Sequence, residues 1–99
     1  MAPQIPTQHA RVAADAVERM LRDVRSGRAE WGHQQHVRQT TDDLTRIAEA
    51  LAGGLQQLAA ALGQLHGPQP HPSLGPLHQA GQSMTTAARK LRQARRSMH

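Results

Sequence analysis

The sequence predicts an all-α protein, an antiparallel helical bundle of three helices in which a heptad-patterned hairpin is joined by an N-terminal helix. Three observations predict it. Leucines recur every seven residues over Leu44, Leu51, Leu58 and Leu65, and a second heptad series runs through Leu77, Met84, Leu91 and Met98. A proline-rich break, Gly67 to Pro76, separates the two series.

Residues 1–6 read as an extended N-terminal tail, because Pro3 and Pro6 fix φ and remove donors. Residues 7–99 read as a single helical-bundle domain. Thr7 is the expected N-cap of a first helix over 8–26, with Ala13, Val17, Met20 and Val24 as its apolar stripe and Ser26-Gly27 as its stop. Asp15 with Arg19 and Glu18 with Arg22 are acid-before-base pairs four apart, each worth about 0.2–0.5 kcal/mol when formed. The segment Arg28 to Gln39 reads as a break or kink, with a short helical piece around 29–38. Trp31 within it is a core or kink-filling residue, or else an anchor facing a partner.

A second helix is expected over 41–65. Thr40-Thr41-Asp42-Asp43 supplies an N-cap and places acids in the first turn, where the helix dipole favours them. Its packing seam is Leu44, Leu51 and Leu58, with Leu55 and Leu62 at the complementary heptad positions beside Thr41 and Ala48. Gly53 and Gly54 lie mid-helix at a cost of about 1 kcal/mol each, and would let a neighbouring backbone approach closely. His66-Gly67-Pro68 ends the helix.

The connection 67–76 carries four prolines and reads as a stiff, irregular turn. The third helix is expected over 76–97, opening at Pro76. Its seam is Leu77, Met84 and Leu91, with Ala80, Ala87 and Ala94 between them, and heptads in both helices predict a shallow, coiled-coil-like crossing.

Composition bounds the function. Ninety-nine residues make one domain at most. There is no cysteine, hence no disulfide or thiol chemistry, and the polar start Met1–His9 lacks the apolar run of a secretory signal, so a cytoplasmic location is expected. No apolar run is long enough to span a bilayer, which predicts no integral membrane association. Large apolar side chains are scarce: sixteen alanines dominate the apolar set, with one Trp and no Phe or Tyr. So thin a core predicts a homo-oligomer or a protein partner.

Nothing in the sequence points to catalysis, and no catalytic residue or cofactor is expected. Asp42 and Asp43 are the only adjacent acids, and neighbours on a helix point about 100° apart, which prevents them from sharing a proton. Of the seven histidines, His33 and His36 would share a helix face, while His66, His71 and His78 flank or occupy the turn. Without cysteine they read as ordinary histidines, and no metal site is assigned.

Charge is placed unevenly. All seven acids lie at or before Glu49, whereas Arg89, Lys90, Arg92, Arg95 and Arg96 crowd the end of the third helix. One or two cations would complement the helix dipole, so five exceed that need. The sequence therefore predicts a non-enzymatic interaction or assembly protein that self-associates or binds a protein partner, with these five residues as a docking surface for an anionic partner. The alternative is non-specific nucleic-acid binding through the same patch, since no base-reading motif accompanies it.

Overall fold

The computed structural model describes residues 6–27, 34–69 and 71–98. These form three helices, α1 (Pro6–Arg25), α2 (Gln34–His66) and α3 (Leu74–Arg96). They make 88% of the described residues helical, and no strand occurs among them. By contact the chain divides into two compact units, Met1–Gly32 and His33–His99.

In the first unit, Pro6 opens α1 in the first turn, where a missing N–H costs nothing. Thr7 therefore lies inside the helix and is not its cap. The helix stops where expected. Ser26 N–H donates to Arg22 O at 2.9 Å, and Gly27 adopts φ +75°, a left-handed conformation that favours glycine. Neither Asp15–Arg19 nor Glu18–Arg22 closes as an ion pair among the described residues.

The second unit is an antiparallel hairpin of α2 and α3. The expected start of α2 is corrected: the helix begins at Gln34 and runs through Thr40–Asp43 without a break. The reason lies in the hydroxyls. Thr41 Oγ1 donates to Val37 O and Thr45 Oγ1 to Thr41 O, both at 2.8 Å, so they bond back to the preceding turn rather than capping a new one. The C-terminal part of the expected helical piece, Gln34–Arg38, is the first turn of α2, while Trp31 and His33 lie outside the described residues. Because the buried threonine hydroxyls are satisfied within their own helix, Thr45→Val is expected to shift the thermal midpoint by no more than a degree or two. A thermal melt followed by far-UV circular dichroism checks this.

Gly67 closes α2 at φ +95°, with its N–H donating to Gly63 O at 3.3 Å. The turn is shorter than expected, since α3 begins at Leu74, two residues before Pro76. Pro76 remains in the first turn, where its ring displaces no hydrogen bond. Ser73 occupies the cap position without a side-chain bond. His71 takes over that work: its Nδ1 accepts the Ser73 N–H at 3.0 Å and its carbonyl accepts the Leu74 N–H at 3.1 Å.

The interface of the hairpin is rotated by one position from the expected seam. On α2 the buried residues are Thr41, Thr45, Ala48, Ala52 and Ala59, flanked by half-buried Leu55 and Leu62. On α3 they are Gly81 and Ala88, between half-buried Leu77, Met84 and Leu91. Small side chains explain the rotation. With alanine or threonine on one helix facing glycine or alanine on the other, the backbones close to contact distance. A Cβ built on Gly81 would lie 3.7 Å from Ala52 O and 3.8 Å from Leu55 Cβ. Ala59 and Ala88 are each 2% exposed, and no described residue buries a large side chain completely. Close packing of small groups, with many weak dispersion contacts, holds the hairpin together.

Candidate functional site

Rotating the seam turns the leucine heptad of α2 outward. Leu44 is half-buried, but Leu51 is 49% exposed, Leu58 54% and Leu65 87%. Leu51 and Leu58, expected within the helix-packing seam, are thus exposed rather than buried in it. Ile47, also exposed, falls on the same row, as do Gly54 and Ala61. The row Leu44–Ile47–Leu51–Gly54–Leu58–Ala61–Leu65 steps by three and four residues, the spacing of a helix face built to pack against another helix. One helix therefore carries two packing faces, and α3 occupies only one.

The glycines are also relocated. Gly53 and Gly54 were expected to admit a neighbouring backbone, yet a Cβ added at either meets nothing within 4 Å. The close approach inside the hairpin is made at Gly81 instead.

The basic cluster at the end of α3 divides in two. Arg95 lies half-buried on the α3 packing stripe, its Nε 3.0 Å from Asp42 Oδ1. This is a charge contact, not an aligned hydrogen bond, because the buried Nε–H has no acceptor in line. Arg92 Nη2 donates to Glu49 Oε1 across the hairpin. Arg92 and Arg95, expected among the docking cations, thus each lie beside an acid of α2. Acids distant in sequence come beside them because Asp42 and Glu49 flank the α2 face that meets α3. Arg89, Lys90 and Arg96 are exposed and form no ion pair among the described residues. Each inter-helix pair is half open to water and contributes on the order of 0.2–1 kcal/mol.

Met98 completes this end of the hairpin, its sulfur 3.7 Å from Thr41 Oγ1. The hydroxyl has a single proton, already given to Val37 O, so the sulfur is a packing contact.

At the opposite end the rings of His66 and His71 meet edge to face, with centroids 4.7 Å apart. Among the described residues no three His, Asp or Glu side chains converge on a point that could hold a metal ion. A surface groove between α2 and α3 is lined by Gln56, His78, Gln82, Thr85, Thr86 and Arg89. It offers amides and hydroxyls but no carboxylate, and Thr85 Oγ1 already donates to Gly81 O at 3.1 Å.

One signal bearing on the leucine row was present in the sequence. From Ala50 to Ala88 there is no Asp, Glu, Lys or Arg, so the turn-proximal half of the hairpin is uncharged even where it is exposed. Helix faces exposed to water normally carry charge, whereas the centres of protein interfaces are depleted of it. No helix among the described residues is long and apolar enough to cross a membrane. Comparison of the chain with family models, with characterised proteins and with solved structures finds no match.

Proposed function

We propose that this chain is a non-enzymatic assembly protein that docks through the outward leucine row of α2, with the exposed cations of α3 as a second, electrostatic surface. The observation that carries the reading is the inversion of burial. Among the described residues the buried apolar ones are four alanines, while Leu51, Leu58 and Leu65 are exposed in a row. A helix hairpin that leaves a row of leucines outside offers them to a further helix. The cysteine-free composition fits a cytoplasmic setting. Sedimentation at micromolar concentration, combined with a thermal melt, tests the reading. A compact monomer with a cooperative transition contradicts it.

Nucleic acid is the second reading, favoured by the three exposed cations Arg89, Lys90 and Arg96 and weakened by the acids that hold Arg92 and Arg95. A titration against random-sequence duplex DNA at two salt concentrations decides it. If all three contact phosphates, log K is expected to fall with log salt at a slope of about −3. Arg89→Gln, Lys90→Gln and Arg96→Gln together are expected to abolish that binding and leave helicity unchanged. Undetectable affinity at low salt ends this reading.

A further inference from the structure

We propose that His71 is a pH-sensitive cap of α3: its unprotonated imidazole holds the turn that starts the helix, and protonation of the ring releases that turn.

The chain enters α3 through His71, Pro72 and Ser73. Proline has no N–H, so Ser73 carries the first backbone donor after His71 and Leu74 the second. His71 takes both. Its Nδ1 accepts the Ser73 N–H at 3.0 Å, and its carbonyl accepts the Leu74 N–H at 3.1 Å. The Leu77 N–H then donates to Ser73 O at 3.0 Å, which carries the same turn into the helix.

A side chain that accepts the backbone N–H two residues on is what Asn and Asp supply in turns. The amide oxygen of asparagine accepts at any pH. An imidazole nitrogen accepts only while it is bare, and both ring nitrogens become donors once the ring is charged. The bond to Ser73 therefore requires the neutral ring, with its one proton on Nε2.

A charge on His71 would find no acid beside it. The ring meets His66 of α2 edge to face, with centroids 4.7 Å apart, and neither imidazole pairs with a carboxylate among the described residues. The other titratable side chain at this end is His78, one turn into α3, and no Asp, Glu, Lys or Arg occurs from Ala50 to Ala88. The first turn of α3 holds no acid, and its positive dipole end disfavours a cation. A second proton, on His66, would add repulsion between the rings. Imidazoles change charge between about pH 5 and 8. The bond belongs to the folded chain with a neutral ring, so its stabilisation is present above that range and is lost as pH falls through it.

NMR of the native chain can follow the His71 ring and the Ser73 amide through one acid titration. The two are expected to share a midpoint, with the amide proton moving upfield as the bond is lost. Thermal melts at pH 8 and pH 5 give an independent reading. His71→Asn is expected to match the native Tm at pH 8, and its fall on acidification to be smaller than the native fall by about 4–8 °C. His71→Ala, which lacks the acceptor at either pH, is expected to melt about 4–8 °C below the native chain at pH 8. His78→Gln removes an imidazole from the same end but keeps the cap, and is expected to retain the native fall. A Ser73 amide indifferent to the His71 titration overturns the proposal, as does an equal fall for the native chain and His71→Asn. Should His71→Asn fail to fold, the amide titration decides alone.

Discussion

Replacing Ala88 by leucine is expected to pry α3 away from α2 and to lower stability by about 1–3 kcal/mol, the cost of forcing extra methylenes into a closed contact. Ala88 is 2% exposed and shares the α3 stripe with Gly81, where a Cβ would lie 3.7 Å from Ala52 O. The position is already closed against α2, so the helices themselves must separate. For a domain of this size that loss corresponds to a fall in Tm on the order of 10 °C. The matched control is Ala60→Leu, exposed on α2 and off both packing faces, which is expected to leave the melt unchanged. Equal melts for the two variants would show that close approach of the backbones is not what holds the hairpin.

Gly53→Ala is expected to act in the opposite direction. Gly53 is exposed in the middle of a long helix, and an added Cβ meets nothing within 4 Å. Alanine removes the backbone entropy penalty of glycine and should raise stability by about 1 kcal/mol, which is a rise in Tm of about 4–8 °C. Gly53 also lies off the outward leucine row, so the gain is expected whether or not a partner covers that row. Destabilisation by this single methyl would reveal another chain seated against Gly53.

The helices were legible in the sequence because their signals are local. Gly27 and Gly67 mark the ends of α1 and α2, and both take the left-handed conformation their position requires. The start of α2 was not legible, since Thr40-Thr41-Asp42-Asp43 reads as a cap by composition. Whether a threonine hydroxyl caps a helix or bonds back to the preceding turn depends on burial, and Thr41 and Thr45 are buried by α3. The same limit governs the seam. A heptad series identifies which residues share a face, but side-chain size decides which of two adjacent faces meets the neighbour. Leucines at 44, 51 and 58 advertise the more hydrophobic face, whereas Ala52, Ala59, Gly81 and Ala88 offer the closer approach. The division of the basic cluster was hidden for another reason: Asp42 and Glu49 lie far from Arg95 and Arg92 along the chain, and only the antiparallel register brings them together.

That register also orders the hairpin in time. The turn between His66 and Leu74 holds the two helix ends together with little loss of chain entropy, so contacts spread outward from the proline-rich end. The Ala59 layer is expected to close early, Ala48 to follow, and the contact of Asp42 with Arg95 to close last. Opening runs the other way, beginning where the charges are. The end that carries Arg89, Lys90 and Arg96 is then expected to open more readily than the uncharged end beside the turn.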